Sequence, residues 1–290
     1  MEFYIVDVFA EEKYQGNQLA VVIPDKEITK NEMQKIANEI NYNETTFILS
    51  DKLNNGRYDV RIFTPDTEVP FAGHPTIGTA FILKTIFEKE STSSIILNLK
   101  VGQITVYIEN ERLTMKQNEP QFGDVINDKT FISELLSVNE NDIDDSLPIQ
   151  IVSTGLPALI VPVKSNSILN KCEINHKLYK SLIENVIKSH IIIFSTDENN
   201  TSKSHINTRV FLDDSGFPED PATGSANGNL GAYLAYYNFF ESQHLKYTSM
   251  QGIKMNRPSK LNVEVNKIND KYNIMVGGKS FLVAKGVWLL

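Results

Sequence analysis

The sequence has a single cysteine, Cys172, and no long uncharged apolar run among its 290 residues. One thiol cannot form an internal disulfide, which favours a reducing compartment. Without a long apolar run the chain has no segment suited to a membrane-spanning helix. Residues 1–12 carry acids where a secretory signal carries a basic region. We therefore predict a cytoplasmic protein with no membrane partner.

The chain also has fewer basic than acidic residues. The chain has 28 Lys and Arg against 36 Asp and Glu, for a net charge of −8. Binding to a nucleic-acid backbone needs a concentrated basic surface, and the richest basic stretch, residues 254–260, holds only three positive residues. We predict no nucleic-acid partner. A small anionic ligand is compatible with this charge, because local dipoles can oppose the global field.

Several catalytic fingerprints are missing. No GxGxxG follows a predicted strand and there is no GxxxxGK[ST], so neither a dinucleotide nor a nucleoside-triphosphate site is indicated. The five histidines form no HExxH motif or paired cluster, which argues against zinc. Ser225 lies in TGSAN rather than GxSxG, so a hydrolase nucleophile elbow has little support. We expect neither a cofactor nor a metal.

Two glycine turns dominate what is present. Residues 66–78 read DTEVPFAGHPTIG and residues 219–231 read EDPATGSANGNLG, and each runs into an apolar segment with helical spacing. The second of these helices is expected to extend through Phe240. A helix start leaves backbone N–H groups free and carries the positive end of the helix dipole, which suits a carboxylate or phosphate. The two turns predict two anion-binding sites, one in each half of the chain.

The order of predicted elements indicates an internal duplication. Arg61-Ile62-Phe63 is matched by Arg209-Val210-Phe211 about half the chain later, and Gly73 is matched by Gly224. Residues 118–146 are polar and acidic and serve as a crossover with one predicted helix. Repetition at this spacing predicts two similar domains with a pseudo-twofold relation. The length suits two domains of roughly 100–200 residues each.

Three residues are candidates for acid/base chemistry. His74 follows Gly73 and precedes Pro75, a residue typical of a helix start. It could exchange protons with a ligand, or it could simply cap the helix. Asp220 could orient a proton donor, or it could belong to an ordinary Asp-Pro turn. Glu44 could act as acid and base in turn if it is desolvated, or it could be a solvated loop glutamate.

The sequence resembles the PhzF-like proteins of phenazine biosynthesis, within the diaminopimelate-epimerase fold group. The resemblance is carried by RIFTPDTEVPFAGHPTIGTA at residues 61–80 together with EDPATGSANG at residues 219–228. Further matches are VDVFAEEKYQGNQLAVV (6–22), NETTFIL (43–49), TGLPALIV (154–161) and QGIKMNRPSKL (251–261). These stretches span nearly the whole chain in the order of the family.

The resemblance implies an α+β fold of two pseudo-symmetric lobes, each a curved antiparallel sheet wrapped around a central helix, with the active site between them. In such folds the C-terminal strands often return to the first lobe. The implied N-terminal lobe is residues 1–117 plus 280–290, and the C-terminal lobe is residues 118–279. The family is usually homodimeric and uses no cofactor or metal.

The resemblance also implies roles for individual residues. Glu44 corresponds to a glutamate that moves a proton between ring carbons, with His74 and Asp220 as catalytic partners. Gly73, Gly224 and Ser225 are expected to bind the substrate carboxylate. Relative to the epimerases of this fold group, His74 and Ser225 stand where two catalytic cysteines would be. A two-base racemisation is therefore disfavoured and a single-carboxylate shuttle is favoured.

The functional hypothesis is a cofactor-independent isomerase that acts on a small carboxylate, which we expect to be cyclic. Two alternatives stay open at this point. One is a lyase or hydrolase that uses the same acid and base residues, and the other is a protein that binds small carboxylates without catalysis.

Overall fold

The computed structural model describes residues 1–49, 57–87, 92–185, 189–196, 205–212 and 218–289. The chain divides into two compact units, which we call unit 1 (residues 1–116 with 277–290) and unit 2 (residues 117–276). Leu290, the last residue of the predicted first lobe, lies outside the described residues.

The elements follow one another in a nearly repeated order. The first half contains β1 (Glu2–Val8), β2 (Asn17–Ile23), α1 (Lys30–Ile40), β3 (Thr45–Ile48), β4 (Arg57–Phe63), β5 (Glu68–Val69), α2 (Gly73–Ile86), β6 (Ser94–Leu99), β7 (Gly102–Glu109) and β8 (Arg112–Lys116). The second half contains β9 (Gln121–Val125), α3 (Lys129–Leu136), β10 (Gln150–Ser153), β11 (Pro157–Pro162), α4 (Asn166–Lys171), α5 (His176–Asn185), β12 (His190–Thr196), β13 (His205–Phe211), β14 (Glu219–Asp220), α6 (Gly224–Tyr236), β15 (His244–Gln251), β16 (Ser259–Ile268), β17 (Lys271–Gly278) and β18 (Ser280–Val287).

Strand pairing is the same in both units. In unit 1, β1 and β2 form an antiparallel hairpin, β2 pairs with β3 in parallel, and β3 pairs with β4 in antiparallel fashion. In unit 2, β10, β11, β12 and β13 repeat these three relations in the same order. The equivalence extends further, since β4 runs parallel to β6 and β13 runs parallel to β15. Each sheet is therefore mixed rather than purely antiparallel.

β9 and β18 occupy equivalent positions at the edge of the first hairpin of their units. β9 pairs with β10 in unit 2, and β18 pairs with β1 in unit 1. The C-terminal strand thus returns to the sheet that begins the chain. The backbone of Trp288 donates to the carbonyl of Met1 at 2.8 Å, which continues this pairing to the chain end.

The two central helices, α2 and α6, are almost completely buried. α6 is buried at every residue from Gly224 to Ala235, and α2 is buried over most of its length. Both carry a glycine where a strand passes close by. A Cβ on Gly78 would lie 2.6 Å from Leu19 Cδ2, and one on Gly231 would lie 2.8 Å from Val263 Cγ1. Apolar and small residues all round a helix are typical of a helix enclosed by its own sheet.

The repeated Arg-x-Phe segments form equivalent ion pairs. Arg61 on β4 donates to both carboxylate oxygens of Glu68 on β5, at 2.7 and 2.8 Å. Arg209 on β13 donates to both oxygens of Glu219 on β14, at 2.9 and 2.8 Å. Each guanidinium also lies over the phenylalanine two residues later, 5.2 Å from the Phe63 ring and 4.8 Å from the Phe211 ring. The sequence repeat is therefore a repeat of local structure.

Two details differ from the expectations. The helix predicted through Phe240 ends at Tyr236, because Tyr237 closes it with bonds to earlier carbonyls and Asn238 adopts a left-handed conformation (φ 52°). The polar crossover over residues 118–146 contains the strand β9 in addition to the predicted helix α3. β9 is largely exposed, so it lacks the apolar alternation that predicts a strand.

Candidate active site

Glu44 is placed by the end of α1 and the start of β3. α1 begins at a capping box in which Thr29 and Glu32 satisfy each other's backbone N–H groups, and it ends at Asn41 in a left-handed conformation (φ 54°). The chain then reaches Glu44 one residue before β3, where no strand pairing constrains it. The Glu44 side chain is 18% exposed, so its carboxyl group is partly withdrawn from water.

His74 is the second residue of α2 and faces Glu44. The helix begins at Gly73, so Pro75 lies within its first turn rather than at its first position. The imidazole Nε2 lies 3.4 Å from Glu44 Oε2 and makes no hydrogen bond. On the other side of the ring, Nδ1 lies 3.2 Å from the Asn17 amide nitrogen. Unit 1 thus brings together two of the three predicted catalytic residues.

Burial determines the protonation state of His74. The residue is only 5% exposed, and desolvation lowers the pKa of His74 from its ordinary 6.5 to about 3, although a backbone hydrogen bond with Gln18 opposes this change. At neutral pH the ring therefore carries one proton rather than two. A neutral imidazole beside a carboxyl group can form a hydrogen bond with it without placing a second charge in the buried site. The arrangement is suited to a neutral His74 that orients Glu44 while the Glu44 carboxyl group itself gains and loses a proton.

The buried His74 predicts acid lability. The unfolded chain binds a proton at this residue below about pH 6.5 but the folded chain does not until about pH 3. The free energy of unfolding should therefore fall as the pH drops through this window, by about 2 kcal/mol at about pH 5 from this residue. Urea unfolding of wild type and His74→Gln at neutral and acid pH measures the effect. The variant should lose less stability than wild type on acidification, and equal losses would contradict the low pKa assigned to His74. Burial also lowers the pKa of His190, but this residue is present in both proteins and contributes equally to both.

Asp220 sits in a closed hydrogen-bond network in unit 2. The residue is 5% exposed, and its Oδ2 accepts a short hydrogen bond from the Thr223 hydroxyl. The Thr223 hydroxyl in turn accepts from Gln251 Nε2 at 3.1 Å, and the same nitrogen donates to the Asp220 carbonyl at 2.7 Å. Asn227 completes the network by donating to Gln251 Oε1 at 2.9 Å. This arrangement holds the carboxyl group of Asp220 in one orientation.

The starts of the two central helices have no side-chain caps. Ala72 precedes α2 and offers no polar atom, and the Thr223 hydroxyl before α6 is engaged by Asp220. The outer helices α1 and α3 are capped by Thr29 and Asp128. Gly73 and Gly224 are the first residues of the two uncapped helices, and Ser225, which is 7% exposed, is the second residue of α6. Backbone donors at these positions are suited to an anionic group.

Three residues of these arrangements carry no assigned role in the sequence prediction. Asn17 contacts His74, while Thr223 and Gln251 hold Asp220. Asn17 and Gln251 lie within stretches that match the family pattern, at residues 6–22 and 251–261. That match marks both stretches as candidates, but only the fold shows which side chain each one touches.

The described residues show no group of three or more His, Cys, Asp or Glu side chains arranged to hold a metal ion. Within the same part of the chain, no helix has the length and apolar character needed to cross a lipid bilayer. Cys172 is buried and forms no disulfide.

Comparison with known proteins relates these features to a family. A family model described as "Phenazine biosynthesis-like protein" (PhzC-PhzF) matches residues 6–286. An uncharacterised isomerase of Clostridium acetobutylicum is 33% identical over 298 residues, covering 99% of this chain and 97% of the relative. The crystal structure of a Bacillus anthracis phenazine biosynthesis protein of the PhzF family aligns with a TM-score of 0.90 at 28% identity, covering 100% of this chain and 99% of that chain.

A more distant structure shares the fold alone. A probable proline racemase from Agrobacterium radiobacter, crystallised with bound carbonate, aligns with a TM-score of 0.62 at 13% identity over 100% of this chain and 93% of that chain. Together with the repeated units described above, this likeness confirms the predicted α+β, epimerase-like fold class. The match over nearly the whole length shows that the chain belongs to the phenazine biosynthesis-like (PhzC-PhzF) protein family.

Proposed function

We propose that this protein is a cofactor-independent isomerase that moves a proton between two carbons of a small cyclic carboxylate, with Glu44 as the proton shuttle. The Glu44 carboxylate removes a proton from one carbon, the double bond shifts, and the same carboxyl group returns the proton to another carbon. One C–H bond breaks and one forms, so atoms and electrons balance without a co-reactant. The isomerase names of relatives such as the Clostridium acetobutylicum protein support this reaction class.

The observation that carries the proposal is the pairing of Glu44 with a neutral, buried His74. Nε2 of His74 has no hydrogen bond and lies 3.4 Å from Glu44 Oε2. A buried polar atom without a partner is costly, so its retention is typical of a functional position. A neutral imidazole leaves the carboxyl group free to alternate between its charged and neutral forms.

The substrate carboxylate is assigned to the uncapped helix starts, at Gly73-His74 or at Gly224-Ser225. The backbone N–H groups there supply donors and the helix dipole supplies partial positive charge. The overall charge of −8 does not oppose this, because the interaction acts within the first helical turn.

Asp220 is proposed to stabilise charge or to relay protons during the same reaction. Asp220→Asn should lower turnover roughly 10²-fold, because the amide cannot carry the negative charge or exchange a proton. Asp270→Asn, the same change at an exposed turn residue, should leave the rate unchanged. Initial rates of wild type, Asp220→Asn and Asp270→Asn on one substrate test this role. Full activity of Asp220→Asn would exclude Asp220 from the mechanism.

The reaction class is tested by mass spectrometry in D₂O with a panel of small cyclic and amino carboxylates, including dihydro-hydroxyanthranilate. An isomerase incorporates deuterium at carbon and otherwise conserves the mass of its substrate. Products of lower or hydrated mass would instead indicate a lyase or hydrolase. Binding without deuterium uptake across the panel would contradict the isomerase assignment and indicate a non-catalytic carboxylate-binding protein.

A further inference from the structure

Asn17, the first residue of β2, is a buried amide that contacts the imidazole of His74. The residue is only 2% exposed, and its Nδ2 lies 3.2 Å from His74 Nδ1. Residues 19–23 of the same strand are all apolar. Burying an amide costs free energy unless it is hydrogen-bonded. The contact with His74 is therefore a physical reason for an amide at this end of the strand.

Unit 2 provides an internal comparison for this position. The strand registers relate the two units residue by residue, since the pairs Ala20–Thr45 and Thr45–Phe63 correspond to Leu159–Ile191 and Ile191–Phe211. Counting back three residues places Leu156 where unit 1 has Asn17. Ser225 is the second residue of α6, where α2 has His74. Of the two units, the one with the histidine has the amide, which indicates that the amide serves His74 rather than the strand pairing.

The amide determines which ring nitrogen of His74 carries a proton. An amide NH₂ group can only donate, so a ring nitrogen that accepts from it must be unprotonated. Burial lowers the pKa of His74 to about 3 even though the Gln18 backbone opposes this change, so the ring has one proton near neutral pH. With Nδ1 accepting from Asn17, that proton lies on Nε2.

Nε2 is the ring atom that faces the proposed proton shuttle, 3.4 Å from Glu44 Oε2. An N–H group directed at an ionised carboxylate is attracted to it, whereas an unprotonated nitrogen presents a lone pair and is repelled. Asn17 and an ionised Glu44 therefore favour the same tautomer of His74, one from each side of the ring.

We propose that Asn17 is a positioning residue: its amide donates to His74 Nδ1 and so keeps the ring proton on Nε2, directed at Glu44. This inference rests on the proposed role of Glu44 as the proton shuttle. The Nε2–H group orients the ionised carboxylate toward the substrate carbon. His74 keeps its own proton throughout, so Glu44 alone gains and loses a proton during the reaction.

¹⁵N NMR of histidine-labelled protein tests the tautomer without a substrate, because protonated and unprotonated ring nitrogens give separate signals. The signals of His74 are those missing from His74→Gln. In wild type at neutral pH, Nε2 should carry the single proton. Asn17→Asp has nearly the same shape but places an acceptor opposite Nδ1, so Nδ1 should become protonated. Asn269→Asp, the same change at an exposed turn residue, should leave the His74 signals unchanged.

Deuterium uptake into the substrate is the second readout. Asn17→Leu places the side chain of Leu156 at the equivalent position and removes the donor without burying a charge. Both Asn17 variants should lower the rate of uptake about tenfold or more. KM should change little, because the buried Asn17 acts on the reaction only through His74. Circular dichroism checks that both variants are folded.

Three outcomes would overturn the proposal. These are a proton on Nδ1 of wild-type His74, donated to the Gln18 carbonyl; an unchanged tautomer in Asn17→Asp; and full uptake by both Asn17 variants. Absence of uptake by wild type on every substrate tested would contradict the isomerase assignment instead. In that case the NMR comparison still decides whether Asn17 controls the tautomer of His74.

Discussion

Glu44→Gln is expected to abolish proton transfer while leaving the fold intact. Glutamine has nearly the shape of glutamate, and Glu44 lies outside the strands, so we expect the fold to be retained. The amide can neither accept a proton from carbon nor return one. Because a positioned acid/base group contributes typically 10²–10⁴-fold, deuterium uptake into the substrate should fall by at least roughly 10³-fold. Mass spectrometry in D₂O measures the uptake, and circular dichroism with thermal unfolding reports on the fold.

Glu39→Gln provides the matched control for this prediction. Glu39 is an exposed residue near the end of α1, and the chemical change is the same. Deuterium uptake into the substrate with Glu39→Gln should equal that with wild type. This result would show that the loss with Glu44→Gln is not an effect of net charge. Substantial uptake by Glu44→Gln would exclude Glu44 as the shuttle.

The largest expected loss of stability comes from Arg209→Leu. The Arg209 side chain is only 8% exposed, and it donates to both oxygens of Glu219 and to the carbonyls of Leu169 and Cys172, at 3.0 and 2.6 Å. Removing it leaves a mostly buried carboxylate and two carbonyls without these donors. Truncating one partner of a buried ion pair costs about 3–5 kcal/mol, and urea unfolding measures the change.

Arg61→Leu is the matched comparison, because Arg61 occupies the equivalent place in unit 1. Its partner Glu68 also contacts Lys100 at 2.9 Å and Lys30 at 3.3 Å, so its charge stays compensated when Arg61 is lost. Arg61 is also more exposed, at 26%. We expect Arg61→Leu to lower the free energy of unfolding by about 1–2 kcal/mol. If Arg61→Leu were as destabilising as Arg209→Leu, the remaining lysines would not be compensating Glu68.

Much of the fold could be predicted from local patterns. The alternation in residues 3–9 predicts β1, Thr29 marks the start of α1, and the matched Arg-x-Phe segments reveal the duplication before any coordinates are known. β9 was not predicted because its side chains are mostly exposed, so pairing with β10 rather than an apolar pattern makes it a strand. Phe240 was wrongly placed in α6, since its apolar spacing continues past the left-handed Asn238 that ends the helix.

The internal duplication and the two glycine turns at the starts of the buried helices could be predicted from the sequence alone, because periodicity, helix-start residues and repeated segments are visible along the chain. The α+β class followed from the resemblance to the PhzF-like family. The sequence also singled out Glu44, His74 and Asp220 as candidates. The folded protein was needed to show that Glu44 and His74 lie 3.4 Å apart, that burial keeps His74 neutral, and that Gln251 and Thr223 orient Asp220. Contacts between residues distant in the chain and the desolvation of a side chain are consequences of packing, and no local pattern carries them.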